Sequence, residues 1–92
     1  MKEKFLIVAI GRDRVGLLAT ISTKIAELGG NIVDVRGESI RIDRLRIALI
    51  SLVVEPTEEA PKDFGEKLRD MMQKIAEELE LKVSVVTPSE LE

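Results

Sequence analysis

Cysteine and histidine are both absent from this sequence of 92 residues. Without cysteine the chain forms no disulfide and offers no thiolate for metal binding or nucleophilic catalysis. Without histidine it lacks the commonest general base and the commonest ligand of transition metals. The acidic residues show no paired arrangement suited to acid–base work. The composition therefore predicts a protein that is not an enzyme and that carries no metal or cofactor.

Aromatic residues are scarce as well, because the chain has two phenylalanines and neither tryptophan nor tyrosine. A module that stacks RNA bases needs aromatic side chains on its strands, and a net charge of −3 also disfavours nucleic acid. No apolar run approaches the roughly 18 residues of a membrane-spanning helix. We therefore expect no nucleic-acid partner, no membrane contact and a cytoplasmic location.

Strand-like and helix-like patterns alternate along the chain. Apolar or alternating runs predict four strands, at residues 4–10, 31–42, 45–54 and 82–87. Apolar residues three or four positions apart predict two amphipathic helices, at residues 16–28 and 61–79. Gly37 predicts a bulge in the second strand. Pro88 ends the last strand, and we expect residues 89–92 to form a disordered acidic tail.

The order strand–helix–strand–strand–helix–strand is that of the ferredoxin-like βαββαβ sandwich, an α+β fold. Right-handed crossovers place both helices on one face of a four-stranded antiparallel sheet, with the first and third strands at its centre. Residues 4–10 and 45–54, the predicted central strands, are apolar on both faces. We therefore expect one domain, residues 1–88, with this fold.

Helices on one face leave the other face of the two central strands uncovered. An exposed apolar patch of that size usually marks an interface. The pattern therefore predicts a homo-oligomer, a dimer or larger, and a face that binds a lipid or an aromatic ligand is the alternative.

The most distinctive segment is the polar loop between the first strand and the first helix, GRDRVG at residues 11–16. Gly16 removes a side chain where the helix begins, and a helix start carries unpaired N–H groups that attract anions. After the same helix, residues 29–31 form a tight turn in which Gly29 is the predicted left-handed terminator. The loop and this turn become neighbours only across a subunit boundary or along one edge of a sheet.

The segment GRDRVGLLATISTKIAELGGNIVDV resembles the opening of an ACT domain, in particular that of small stand-alone ACT proteins similar to the glycine cleavage regulators. The resemblance implies a regulatory module that binds a small molecule, commonly an amino acid, between two copies. In amino-acid-binding members, a polar residue three positions before the loop glycine and an Asn at the start of the second strand hold the ligand. These positions are Asp13 and Asn31 here, and Gly11 stands where some members have a histidine. An Asp in place of a neutral amide favours an ammonium group over a carboxylate.

The candidate ligand site covers the loop and the start of the second strand: Gly11, Arg12, Asp13, Arg14, Val15, Gly16, Leu17, Asn31 and Ile32. Asp13 also suits a plain structural role, bonding the backbone at the helix start. Two alternatives remain for the whole chain. One is an oligomerisation or partner-binding module without a ligand. The other is an acylphosphatase-like enzyme in which Arg12 or Arg14, together with Asn31, orients a phosphate and a water.

Overall fold

The computed structural model describes residues 3–92 and contains the predicted order of elements. The strands are β1 (Phe5–Arg12), β2 (Gly30–Ile42), β3 (Leu45–Pro56) and β4 (Leu81–Val86). The helices are α1 (Leu17–Glu27), α2 (Phe64–Leu79) and a short C-terminal 3₁₀ helix (Pro88–Leu91). All strand pairs are antiparallel and the sheet order is β2-β3-β1-β4, so the predicted α+β, ferredoxin-like fold is confirmed.

The core lies between the two helices and one face of the central strands. Alternate residues of β1 and β3 are buried there: Phe5, Ile7, Ala9, Ala48, Ile50, Leu52 and Val54. Ile21 and Ile25 of α1, and Leu68 and Met72 of α2, cover them with no exposed surface. Each such side chain contributes roughly 1.5–3 kcal/mol by leaving water. The helical spacing predicts the burial of Leu17, Ile21 and Ile25, whereas Leu18 of the same apolar stripe is exposed.

Two local expectations are wrong. Gly37 pairs regularly with Ile50, and the irregularity in β2 lies between Ile32 and Asp34 instead. Glycine permits a bulge but does not require one, because glycine also adopts the regular strand conformation. β1 also runs two residues further than expected, since Gly11 pairs with both Ala48 and Leu81.

Gly11 has a packing reason to be glycine. A Cβ at this position would lie 2.5 Å from Cδ2 of Leu81 and 3.1 Å from the carbonyl oxygen of Glu80. The missing side chain thus lets the start of β4 pack closely against the end of β1. The loop between β1 and α1 is correspondingly shorter than expected and spans residues 13–16.

The segment expected to be a disordered tail forms the 3₁₀ helix instead. Thr87 and Glu90 make a reciprocal capping box, in which the Thr87 N–H donates to Glu90 Oε1 at 2.8 Å. Arg69 of α2 donates to the same carboxylate at 2.9 Å and to the carbonyl of Val85. The Thr87 N–H and the Arg69 guanidinium hold the pKa of Glu90 below its ordinary value of 4.5. Acidic composition alone missed this turn because its partner, Arg69, is distant in sequence.

Neither α1 nor α2 covers the second face of the sheet, and the C-terminal 3₁₀ helix borders it only at the end where Leu6 and Val53 lie. Since residues alternate along a strand, the residues between the buried ones point to this face. It is aliphatic along the two central strands: Leu6, Val8, Ile10, Ile47, Leu49 and Val53. We call this surface the open face.

Candidate ligand site

A groove of about 530 Å³ lies between the start of α1 and the β2–β3 hairpin, on the helix side of the sheet. Four apolar residues form much of its wall: Leu17, Leu18, Ala48 and Ile50. Its rim includes Asp13, Arg14 and Gly16 from the loop, and Gly37 and Ser39 from β2. The groove is thus polar at its mouth and aliphatic inside.

Gly16 shapes the mouth of the groove. It is the N-cap residue of α1 and has a left-handed backbone conformation, with φ of 86°. No side chain of the described residues caps the helix at this end. The first N–H groups of α1 have no partner within the helix, and the positive end of its dipole points the same way. This end of α1 therefore suits a carboxylate.

Asp13 contacts the hairpin and does not cap the helix. Its Oδ2 accepts a hydrogen bond from the hydroxyl of Ser39 at 3.1 Å. Its backbone N–H donates to the carbonyl of Arg46 at 2.8 Å, which holds the loop against β3. The Asp13 side chain is exposed, and its second carboxylate oxygen leaves room for an ammonium group at the rim.

The remaining loop residues are dispersed. Arg14 forms an ion pair with Glu80, just after α2, at 3.3 Å. Arg12 is the last residue of β1, and by alternation from the buried Phe5 it points to the open face. Val15 is fully exposed. Of the loop, only Asp13, Arg14, Gly16 and the following Leu17 line the groove.

Asn31 and Ile32 lie at the opposite end of the sheet from the groove. Asn31 pairs with Glu55 of β3, whereas Asp13 bonds to Arg46 of the same strand. Nine residues of strand separate the two positions, or about 30 Å. Ile32 is half-buried against the core. One chain therefore does not bring Asn31 to the groove, and the phosphate-orienting pair of an acylphosphatase-like site is not assembled within it.

Sequence reasoning missed the hairpin side of the groove. Gly37 and Ser39 are small uncharged residues, two positions apart, that alternate with the charged Arg36 and Glu38 in β2. In a strand that spacing places both on one face, here the face toward α1. This alternation is the sequence signal for the hairpin side of the groove, and Gly37 alone is not sufficient to reveal it.

The described residues hold no group of three or more acidic side chains placed to bind a metal ion. None of the helices in residues 3–92 is long and apolar enough to cross a membrane.

Comparison with known proteins places the chain in a family context. Residues 5–61 match the model of the ACT domain. A UPF0237 protein of Streptococcus mutans is 33% identical over 82 residues, which cover 89% of this chain and 85% of that protein. An ACT domain protein from Streptococcus pneumoniae is 28% identical, with a TM-score of 0.73, over 100% of this chain and 97% of that one.

More distant structures share the fold. The regulatory subunit of aspartate kinase from Thermus thermophilus, solved in a ligand-free form, has a TM-score of 0.67 at 18% identity. The match covers 91% of this chain and 50% of that one. This chain spans about half the length of several solved chains that it matches. At such identities the likeness shows the fold alone.

Proposed function

The chain belongs to the ACT domain family, and on this basis we propose that it is a regulatory module that binds an amino acid as a homo-oligomer. The groove beside α1 is the observation that carries the proposal. Its mouth offers helix N–H groups for a carboxylate and Asp13 for an ammonium group, and its wall is aliphatic. A free amino acid presents these three features together.

A second copy completes the site. β2 is an edge strand of 13 residues, and an edge of this length invites pairing with another strand. A two-fold axis through the middle of β2 pairs it antiparallel with the partner's β2. That reversal brings the start of the partner's β2, with its Asn31, to the hairpin end where Ser39 and Asp13 lie. An amide both donates and accepts. Because alternation from the core-facing Ile32 directs Asn31 to the other side of the sheet, Asn31 reaches the ligand only around the start of the partner's β2.

The aspartate kinase regulatory subunit supports the regulatory role, because its fold serves there as the regulatory part of an enzyme that acts on an amino acid. We propose that this chain likewise senses an effector and performs no catalysis. The competing possibility is an oligomerisation module without a ligand. In that case the Asp13–Ser39 hydrogen bond is the whole role of Asp13.

Thermal shift against the twenty amino acids tests the proposal. At least one should raise the melting temperature by mass action, and its affinity is then measured by calorimetry. Asp13→Asn keeps an acceptor for Ser39 but removes the charge, so we expect roughly 10- to 100-fold weaker binding. Asp70→Asn, at an exposed position of α2, is the matched control and should bind normally. The proposal fails if no amino acid binds, or if Asp13→Asn binds as tightly as the parent protein.

A further inference from the structure

We infer that the open face packs against the open face of a further copy, so that the protein is a tetramer with two different interfaces. The inference rests on the proposed function in one respect, because the site-bearing pair along the β2 edge supplies the first interface. The second interface lies on the other side of the sheet from the ligand sites and shares only Glu38 with the residues that line the groove.

The groove and the open face lie on opposite sides of the sheet. The groove contains Ala48 and Ile50, which point toward the helices. The open face contains their neighbours along β3, such as Leu49, which point away. Pairing along the β2 edge extends the sheet sideways and covers neither of its faces. A dimer that completes the ligand site therefore still exposes the aliphatic residues of both sheets.

The open face is electrostatically complementary to itself. Arg36 lies in one cross-strand row with Ser51 and Val8, and Glu38 lies in the next row with Leu49 and Ile10. A two-fold axis that runs between the two rows and parallel to them, midway between two facing sheets, relates two copies. It places the Arg36 row of one copy on the Glu38 row of its partner, and the Glu38 row on the Arg36 row. Arg36 then meets the partner's Glu38, and Val8 meets the partner's Ile10.

The chain leaves Glu38 available for this contact. Arg36 pairs with Asp34 at 3.5 Å, whereas Glu38 forms no ion pair with a residue in the range 3–92. Within these rows the charged residues lie on the two edge strands, Arg36 and Glu38 on β2 and Lys82 on β4, and Arg12 lies at the end of β1. The aliphatic residues lie at the centre, an arrangement that matches the apolar core and polar rim of protein interfaces.

The area is sufficient for a stable contact. Four strands about 4.8 Å apart and eight residues long cover a flat footprint of roughly 500 Å². Two copies together bury about twice this area, and the protruding side chains add more. The buried area therefore reaches the roughly 1,000 Å² expected of a biological interface. Both two-fold axes cross the middle of β2, so the two contacts close into a tetramer instead of a filament.

Mass measurement on matched variants tests the inference. The parent protein, with a chain of 10.2 kDa, should have a mass of about 41 kDa at micromolar concentration. Ile10 on the open face and Leu18 in the groove are 43% and 41% exposed. Ile10→Lys should give a dimer of about 20 kDa that still binds its amino acid. Leu18→Lys should remain a tetramer and lose binding.

A charge reversal provides a second test that does not depend on burying a lysine. Arg36→Glu should shift the equilibrium between tetramer and dimer at least about tenfold toward the dimer, and Arg36→Glu combined with Glu38→Arg should restore it. A parent protein of about 20 kDa overturns the inference, as does a folded Ile10→Lys or Arg36→Glu protein that stays tetrameric. A parent protein that is a tetramer but binds no amino acid counts against the proposed function only.

Discussion

Three glycines near the groove owe their identity to different causes. Gly11 admits Leu81, Gly16 adopts a left-handed turn, and Gly37 faces open space in a regular strand. Around Gly16, nothing among the described residues lies within 4 Å of the position that a Cβ would take. A Cβ at Gly16 therefore meets no steric clash with the described residues. Only backbone strain opposes a side chain there.

We expect Gly16→Ala to lower the free energy of unfolding by about 1 kcal/mol, because alanine resists a φ of 86°. Gly37→Ala is the control, since Gly37 has equally open surroundings and lacks a left-handed φ. Its effect should be close to zero or slightly stabilising, because alanine narrows the unfolded ensemble. Urea unfolding of the two variants measures both values. Equal losses in the two would mean that the turn conformation is not what Gly16 provides.

The sequence predicts the loop half of the candidate site and misses the hairpin half. Asp13 and Gly16 stand out because a charged residue and a glycine interrupt an apolar pattern just before a helix. Ser39 does not stand out, because its importance comes from the register of β2 on β3, which brings it within 3.1 Å of Asp13. The sequence places Arg12 next to Asp13 and so predicts it in the candidate site. β1 extends to Arg12, however, and strand alternation points its side chain to the open face.

Among the elements, periodicity predicts both α-helices and all four strands but not the 3₁₀ helix, and the ends of the elements depend on contacts that periodicity does not contain. α2 begins at Phe64, so Pro61 lies before the helix and not in its first turn. Phe64 meets Phe5 of β1 edge-to-face, with ring centroids 5.7 Å apart, and this packing helps to place the helix start. The C-terminal 3₁₀ helix likewise depends on Arg69, 21 residues from Glu90.

The C-terminal 3₁₀ helix should be sensitive to acid. The folded pKa of Glu90 is lowered, so its contribution is present above the ordinary value of 4.5 and is lost as the pH falls through the lowered folded value. We expect the protection of the Thr87 amide against hydrogen exchange to decrease over a pH range that runs from above 4.5 to well below it. Glu90→Gln should remove this pH dependence. A Thr87 amide equally protected across that range would contradict the capping role of the carboxylate.

For the whole molecule, the two edges of the sheet should behave differently. Half of the N–H groups of β2 point away from β3, and in the proposed assembly they bond to the partner's β2. We expect hydrogen exchange in the middle of β2 to be slow at micromolar concentration and to accelerate on dilution. The outer N–H groups of β4 are the internal control and should exchange quickly throughout. Equal exchange at both edges under all conditions would exclude pairing along β2.

Strand order follows from the sequence more securely than assembly does. The doubly apolar runs identify β1 and β3 as central, and the sheet order agrees. The same apolar runs predict that the open face is covered. The sequence pattern does not predict which surface of another copy covers it. That choice depends on rows of residues drawn from several strands, such as Arg36 with Val8, and these rows exist only once the register is known.

In the proposed assembly, β2 takes part both in the ligand site and in the second interface. Gly37 and Ser39 face the groove. Arg36 and Glu38 alternate with them and by register point to the opposite side of the sheet, although Glu38 also borders the groove. A ligand bound in the proposed groove would therefore contact residues adjacent in sequence to those that carry the proposed second interface. By thermodynamic reciprocity, whatever effector occupancy does to subunit association, association does equally to effector affinity. The proposed regulatory module would then respond to its own concentration as well as to the concentration of the amino acid.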